Sequence, residues 1–354
     1  MKTRVAIIGF GVAGANLAFS LRQKEIDFVV VNDDRPVSSS KVAAGLFNPI
    51  TGKRAVKTWM ADDLFPFADK FYSKVEETLK IKIRHQKNAF RLFKNTGDQN
   101  DIISKALEPH LKQYINTDFN STQYKEYING QAQGIEILKA GHVDLPNYLS
   151  NFIQLLKKEG KYIEKKLKNE DLLFQNNTLK LPDLNADYFV FCEGYQAINN
   201  PLFNWLPFSV TKGEMLKIRT PFPSSHILNN GFFLLPSEEK EEFWIGSSYE
   251  RVADEHISEK GRAILTEKIG DFFKNGYQII DQKGAVRPTV RDRRPFIGRH
   301  PQITNSYIFN GMGTKGVTLS PYFANQFINH LFGDVQLDKQ VNIERYFSLY
   351  SQIK

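Results

Sequence analysis

The sequence predicts an α/β protein built from a discontinuous Rossmann-like domain and a second, inserted domain. Glycine-rich turns between a strand and a helix stand near both ends of the 354-residue chain, at residues 9–14 and 311–316. The middle of the chain carries β-branched runs separated by turn-rich segments, a pattern typical of antiparallel strands. Two such turns so far apart imply that one domain is made of separated segments and that the antiparallel strands belong to the insert.

The opening of the chain carries the most specific signal. Residues 5–14 form an apolar run that ends in Gly-x-Gly-x-x-Gly, and residues 15–21 predict a helix. In a dinucleotide-binding unit Gly9 permits a sharp turn, Gly11 lets the backbone approach a pyrophosphate, and Gly14 lets helix and strand pack closely. The phosphates then lie at the helix N-terminus. A flexible turn is the alternative, but the strand and the helix on either side favour a nucleotide site.

The first half of the chain continues this pattern. Residues 27–32 are β-branched and end at a charged turn, which predicts a second parallel strand. Residues 38–49 are small and polar, which suits a chain segment that runs against a ligand. Apolar residues at helical spacing predict helices over 64–79 and 147–158.

The second half is predicted to contain both strands and helices. The predicted strands are residues 186–192, 212–219, 231–235, 242–247 and 306–310, and the predicted helices are residues 258–273 and 321–331.

Composition excludes several classes of protein. The single cysteine, Cys192, cannot form an intramolecular disulfide or a multi-thiolate metal site, and the seven histidines lack metal-ligand spacing, so we predict no metal. The sequence shows no cationic leader and no apolar run of about 20 residues, so we expect a cytoplasmic protein that does not enter membranes. The net charge of +8 can attract anionic substrates or RNA, although solvated charged faces explain it as well. No oligomeric state is predicted.

The ordered motifs resemble the FAD-dependent amine oxidoreductases of the D-amino-acid oxidase superfamily, over nearly the whole chain. In chain order these motifs are the first glycine turn, the serine-rich turn that leads to Ala43-Ala44-Gly45, Gly141-His142-Val143-Asp144, the strand end at residues 191–194, residues 287–292, residues 295–298 and the turn at residues 311–316. Residues 297–301 are similar to glycine oxidase. The turn at residues 311–316 is more similar to the FAD oxidase module of the bifunctional enzyme that modifies the wobble uridine of tRNA.

This resemblance implies a glutathione-reductase-type FAD-binding domain formed by residues 1–57, 131–205 and 284–354. Residues 58–130 and 206–283 would form a substrate domain on a mixed or antiparallel sheet. The cofactor would be non-covalent FAD, because contacts scattered from the first motif to the last suit a cofactor that is held along its whole length. Cys192 lies on a buried strand near the adenine side, so we interpret it as a core residue and not as a flavin attachment site.

The resemblance also implies which residues contact FAD. Asn32 stands where the superfamily has an acidic residue that holds the ribose, so either Asn32 or the adjacent Asp33 would take this role, and a plain turn is the alternative. The helix after the second glycine turn would place its positive dipole end near the flavin. Leu167 would contact adenine through its backbone. The full set is Gly9, Gly11, Gly14, Asn32, Asp33, Ser39, Ser40, Ala43, Ala44, Gly45, Leu46, Leu167, Gly194, Gly311, Gly313, Thr314, Lys315 and Gly316.

Four residues are candidates for the substrate end of the site. In the resembling enzymes the arginine of the Arg-Pro motif grips the substrate carboxylate, which points to Arg287, and the alternative is an interdomain salt bridge. Phe233 stands where glycine oxidase has a tyrosine, so this position offers no hydroxyl group. Tyr249 can supply a polar group, and Lys315 matches a basic residue of the tRNA-modifying module.

The function implied is oxidation of the C–N bond of a small carboxylated amine or amino acid. Hydride transfer to flavin N5 would give an imine that water hydrolyses, and the protein need supply no acid or base. The alternative is a tRNA-modification oxidase that acts on carboxymethylaminomethyl wobble uridine, which the net charge and Lys315 favour. A second alternative is a flavoprotein module without turnover.

Overall fold

The computed structural model describes residues 2–52 and 54–352. In chain order the strands and α-helices are β1 (Lys2–Ile8), α1 (Val12–Gln23), β2 (Phe28–Asn32), α2 (Ser39–Val42), β3 (Leu46–Phe47), β4 (Ile50–Thr51), β5 (Val56–Lys57), α3 (Ala61–Leu79), β6 (Arg84–Gln86), β7 (Ala89–Leu92), α4 (Thr96–Ala106), β8 (Ile115–Asn116), β9 (Gly134–Ile137), β10 (Gly141–Val143), α5 (Leu145–Lys158), β11 (Tyr162–Glu164), β12 (Leu173–Gln175), β13 (Thr178–Lys180), β14 (Asn185–Phe191), β15 (Thr211–Arg219), β16 (Ile227–Asn229), β17 (Phe233–Pro236), β18 (Glu242–Gly246), α6 (Glu259–Ile269), β19 (Gln278–Arg287), β20 (Phe296–Arg299), β21 (Ser306–Asn310), α7 (Gly316–Phe332) and α8 (Phe347–Gln352). Short 3-10 helices cover Thr122–Tyr124, Asn169–Asp171, Gly194–Asn199 and Ile343–Tyr346.

A six-stranded sheet forms the nucleotide-binding half. Its strand order is β11-β2-β1-β14-β21-β20, and every neighbouring pair is parallel except β20 with β21. Side chains alternate across β1 because successive residues of a strand point to opposite faces. Val5 and Ile7 pack in the core that contains α1, α5 and α7, whereas Ala6 and Ile8 pack in a separate core on the other face.

An eight-stranded sheet forms the other half. Its order is β19-β15-β18-β17-β16-β7-β9-β8, with antiparallel neighbours apart from the parallel pair of β16 and β7. A third core, which includes Phe90, Leu216, Leu228 and Ile245, packs this sheet against α6 through Leu265. The α/β fold class with a mixed, mainly antiparallel second sheet is therefore confirmed.

The strands that β9 and β19 pair with bear on how the chain divides into two domains. β9 pairs with β7 in the eight-stranded sheet, although residues 131–205 were expected in the nucleotide-binding domain. β19 pairs with β15 on both sides of residue 284, where a boundary was expected. The proposed division into 1–57, 131–205 and 284–354 against 58–130 and 206–283 stays a prediction, and the described sheets place β9 with the second group.

Two predicted helices have other bounds in the structure. α7 begins at Gly316 and not at Pro321, so the second glycine turn runs directly into a helix that contains the proline. α6 covers Glu259–Ile269 and does not reach residue 273, because Gly270 leaves the helix with φ +45°. None of the described helices is both long and apolar enough to cross a membrane.

Candidate functional site

A cavity of about 720 Å³ lies between the two sheets, at the carboxyl ends of β1, β2 and β14. In open α/β sheets ligands bind at this edge, where the strand order reverses, and here β2 and β14 lie on opposite sides of β1. The facing wall comes from Gly213, Phe233 and Arg287 of the eight-stranded sheet. Cavities of about 300–1,000 Å³ are typical of small-molecule and cofactor sites.

The first glycine turn has a backbone that needs its glycines. Gly9 has φ +97°, and a Cβ at this position would lie 2.7 Å from the carbonyl oxygen of Cys192. A Cβ on Gly14 would lie 2.1 Å from the carbonyl oxygen of Gly9, so α1 packs directly against the end of β1. Gly9 and Gly11 line the cavity, whereas Gly14 lies beneath the turn.

Two helix N-termini point at this one cavity. α1 has no acidic residue in its first turn and no side-chain cap at Gly11, and its Val12 N–H donates to Ser40 Oγ over 2.9 Å. α7 likewise has no acidic residue in its first turn and no side-chain cap at Lys315, and Gly316 lines the cavity. Helix N-termini carry unpaired N–H groups and positive dipole ends, so this arrangement favours an anionic ligand.

The end of β2 forms one extremity of the cavity. The side chain of Asn32 accepts the N–H of Phe10 at 3.0 Å through Oδ1 and donates to the hydroxyl of Tyr162 at 2.9 Å through Nδ2. Asp33 pairs with Arg35, with 3.1 Å between Oδ2 and Nε. Both residues at which a ribose contact was predicted therefore line the cavity, Asn32 with both ends of its amide bonded and Asp33 with one carboxylate oxygen paired with Arg35.

A carboxyl group that the sequence did not single out lies near this extremity. Glu193, directly after β14, lines the cavity, and its Oε2 accepts Nδ2 of Asn200 at 2.6 Å. The other end of the Asn200 amide accepts the N–H of Leu202 at 2.9 Å, which fixes the amide orientation. Burial raises the pKa of the Glu193 carboxyl to about 7, while Asn200 and the charge of Arg35 lower it and Asp33 raises it.

The opposite extremity is built around Arg287, at the end of β19. A Cβ on Gly213 would lie 1.7 Å from Nη2 of Arg287, so the guanidinium lies flat over this glycine. Nη1 donates to the carbonyl oxygen of Ser248 at 3.4 Å. Burial lowers the pKa of Arg287, which stays charged at neutral pH because arginine starts far above it. Phe233 contributes an apolar side chain to the wall of the same cavity.

Comparison with known families identifies the cofactor. A model of the D-amino-acid oxidase family, described as FAD dependent oxidoreductase, matches residues 4–328. The chain belongs to this family. FAD is therefore the cofactor of this oxidoreductase.

Several solved structures share this fold. Iminodiacetate oxidase from Chelativorans sp. BNC1 is 17% identical with a TM-score of 0.76, over 97% of this chain and 98% of that one. Glycine oxidase from Geobacillus kaustophilus is 18% identical with a TM-score of 0.77, over 95% and 96%. L-amino acid deaminase from Proteus vulgaris is 12% identical with a TM-score of 0.77, over 98% and 97%. At these identities the likeness concerns the fold.

Two independent observations indicate that the residues around the cavity of the oxidoreductase suit FAD. The glycine turn beside α1 offers backbone N–H groups without a competing acid, as a pyrophosphate needs. The start of α7 presents Gly313, Thr314 and Gly316 to the same cavity, where a helix dipole would favour negative charge on a flavin ring. Cys192 also lines the cavity, and burial raises the pKa of its thiol well above the ordinary value.

Most of the predicted contact residues share this one cavity. The wall contains Gly9, Gly11, Asn32, Asp33, Ser39, Ser40, Ala43, Ala44, Gly45, Leu46, Leu167, Gly194, Phe233, Arg287, Gly313, Thr314 and Gly316. Glu193, Asn200, Gly213 and Ser247 line it as well and were not predicted. Glu193 directly precedes Gly194, which was predicted, so the strand end Phe-Cys-Glu-Gly could have indicated Glu193. Nothing in the local sequence indicates Gly213.

Four predicted residues lie elsewhere. Gly14 and Gly311 pack behind the cavity, where a Cβ on Gly311 would lie 2.9 Å from a methyl group of Val290. Tyr249 is 58% exposed on the surface near Arg287.

Lys315 is the fourth of these residues. Its Nζ lies 3.4 Å from Oγ1 of Thr58, and burial, followed by the charges of Arg293 and Arg294, lowers its pKa. Among the described residues, no group of three or more His, Cys, Asp or Glu side chains is placed to hold a metal ion.

Proposed function

We propose that this FAD-dependent oxidoreductase oxidises the C–N bond of a small carboxylated amine or amino acid. The observation that carries the proposal is Arg287, a buried cation on the cavity wall. Within residues 2–52 and 54–352 the only hydrogen bond of its guanidinium is to the carbonyl of Ser248, and the guanidinium forms no ion pair with a carboxylate. A buried charge without a counterion is costly, so a substrate carboxylate would supply the missing partner.

The surroundings of Arg287 support binding of a small amine. Met215, Phe233, Ala285 and Met312 line the cavity near the end of β19 and offer apolar contacts. Such a wall excludes water from the reacting carbon and favours the neutral form of an amine over its charged form. Phe233 carries no hydroxyl group, which leaves Arg287 as the principal polar anchor.

The chemistry requires little of the protein side chains. FAD, when bound, accepts a hydride from the carbon that carries the amine. Arg287 would hold the carboxylate and thereby orient this carbon, and the apolar wall would keep the amine neutral. The oxidised substrate leaves as an imine, which water converts into a carbonyl compound and a free amine or ammonia.

The names of the structural neighbours support this substrate class. Iminodiacetate and glycine are both small amines with carboxylates, and both name enzymes of this fold. Lys315, which favoured tRNA as a substrate, points to Thr58 and not into the cavity, so it gives this alternative less support. We also propose a cytoplasmic location, since a single cysteine suits a reducing compartment.

Anaerobic reduction of the bound flavin tests the proposal. The purified, FAD-loaded protein is mixed without oxygen with glycine, sarcosine, iminodiacetate or D-amino acids, and the flavin absorbance is followed. Bleaching by at least one carboxylated amine, but not by its amide, is the expected result. Absence of bleaching by all of them, together with turnover of undermodified tRNA, would assign the protein to the tRNA reaction. Absence of turnover with either class would indicate a flavoprotein without catalysis.

A further inference from the structure

The cavity lacks a free acidic side chain at the position where dinucleotide-binding folds hold the ribose. In such folds an Asp or Glu at the end of the second strand, about 20 residues after the glycine turn, accepts hydrogen bonds from the ribose hydroxyls. Here that position is Asn32, whose Oδ1 and Nδ2 are bonded to Phe10 and Tyr162. The adjacent Asp33 is paired with Arg35.

We propose that Glu193 takes this role and accepts hydrogen bonds from the ribose hydroxyls of the adenosine half of FAD. Glu193 reaches the same extremity of the cavity from the neighbouring side, because β14 lies next to β1 and ends beside the glycine turn. Arg35, which pairs with Asp33 over 3.1 Å, lies 6.0 Å from the ring centroid of Tyr195, two residues after Glu193, so the ends of β2 and β14 lie close together here. The inference concerns cofactor binding and is independent of the substrate.

The carboxyl group of Glu193 is positioned and only partly used. Asn200 donates to Oε2 over 2.6 Å, and the N–H of Leu202 holds the Asn200 amide in this orientation. Within the described part of the chain Glu193 has no other side-chain hydrogen bond and no ion pair. One carboxylate oxygen therefore remains for a ligand that donates hydrogen bonds.

A vicinal diol matches this arrangement chemically. Its two hydroxyl groups are donors, and a carboxylate offers acceptor positions on both oxygens. Hydrogen bonds to a charged acceptor are stronger than bonds between neutral groups, which makes a carboxylate effective in a partly buried site. The raised pKa of Glu193 fits a carboxyl group that lacks its full set of donors in the absence of a ligand.

Cofactor affinity, and not turnover, tests the proposal. The apoprotein is titrated with FAD and with its 2′-deoxyadenosine analogue, with flavin fluorescence as the readout, for the wild type and for Glu193→Gln. The wild type should bind the analogue about tenfold more weakly than FAD. Glu193→Gln should weaken FAD by a similar factor and should bind both cofactors almost equally. Glu170→Gln, an exposed change outside the cavity wall, should behave as the wild type.

Three results would overturn the proposal. The first is a wild type that binds both cofactors equally well. The second is a Glu193→Gln variant that loses the same factor with both cofactors, since a merely structural role does not depend on the ribose hydroxyl. The third is an Asp33→Asn variant that no longer discriminates between the two cofactors, since this would assign the ribose to Asp33. We expect Asp33→Asn to keep the discrimination. This variant tests the assignment even if Glu193→Gln fails to fold.

Discussion

At the scale of single residues, the substrate end of the cavity depends on the contact between Arg287 and Gly213, which only the structure reveals. Arg287 was predicted from the Arg-Pro motif, and it does lie on the cavity wall. Gly213, on the neighbouring strand β15, provides the flat surface under its guanidinium. Nothing in the local sequence marks Gly213, because its importance comes from a cross-strand contact.

Gly213→Ala should displace Arg287 without unfolding the protein. The added Cβ would meet the flexible end of the arginine side chain and not a backbone atom, so the guanidinium can move. We expect the KM for a carboxylated amine to rise at least about tenfold, with FAD affinity and melting temperature nearly unchanged. Steady-state kinetics and flavin titration measure these quantities. Gly97→Ala, in α4 away from the cavity, serves as the control, and equal KM values in both variants would contradict this role of Gly213.

Cofactor affinity should depend on pH through Glu193. Its pKa of about 7 in the unliganded protein is raised by burial and Asp33 and lowered by Asn200 and Arg35. Hydroxyl donors stabilise the carboxylate, so FAD binding should lower this pKa. The stabilisation is then fully present above pH 7 and is lost as the pH falls below it. The FAD dissociation constant should rise between pH 7.5 and 5.5, and a flat profile identical to that of Glu193→Gln would contradict the assignment.

At the scale of elements, the two glycine turns and the helices after them form the cofactor half of the site. The first turn was predictable in detail, because Gly-x-Gly-x-x-Gly between a strand and a helix has one physical explanation. The start of α7 was placed five residues too late, at Pro321, because proline is favoured in the first turn of a helix and the residues before it include Gly, Val, Thr and Ser, which are weak helix formers. β19 was missed altogether, since its first residues, Gln278 to Lys283, are mostly polar and incompletely buried.

Gly14→Ala and Gly11→Ala should separate the structural and cofactor roles of the first turn. A Cβ on Gly14 meets the backbone oxygen of Gly9 at 2.1 Å, so this variant should lose about 1–3 kcal/mol of unfolding free energy even without FAD. A Cβ on Gly11 meets only the Ser40 side chain, with Oγ at 3.0 Å, so this variant should keep its apoprotein stability and lose FAD affinity. Denaturant unfolding and flavin titration measure the two effects, and the opposite pattern would contradict the assignment.

At the scale of the whole molecule, the cavity exists because two sheets face each other across it. Residues 247–258 run from β18 to α6 and contribute Glu255, which lies 3.6 Å from Arg35 on the nucleotide-binding side. Burial and a hydrogen bond with Glu255 raise the pKa of Tyr195 to about 12. The segment thus connects the two halves over the cavity.

FAD should protect this segment from proteolysis. Arg251 is exposed in the middle of residues 247–258 and is a trypsin site. A ligand that binds only the folded form stabilises it, and this stabilisation grows with the logarithm of the ligand concentration over the dissociation constant. Cleavage after Arg251 should therefore be slower with saturating FAD than in the apoprotein, as followed by mass spectrometry. Equal cleavage rates would show that the segment does not respond to the cofactor.

The division between what was predicted and what was missed follows from the range of the interactions. The nucleotide-binding half was predictable because its signals are local, as at Gly9 and the end of β2. The contacts of Asn32, Glu193 and Gly213 were not, because each depends on a partner from another strand. The pairing of β9 with β7 likewise depends on long-range register, which a short run such as Gly134–Ile137 does not specify.

The most direct test of the central claim is the anaerobic reduction of the flavin in Arg287→Ala. The half-saturating concentration of a carboxylated amine that reduces the wild type should rise about 100-fold in this variant, since a bidentate charge pair is lost. The amide of the same substrate should leave the flavin oxidised in both proteins, and Arg291→Ala, at an exposed position, should match the wild type. Unchanged saturation by the carboxylated amine in Arg287→Ala would contradict the account.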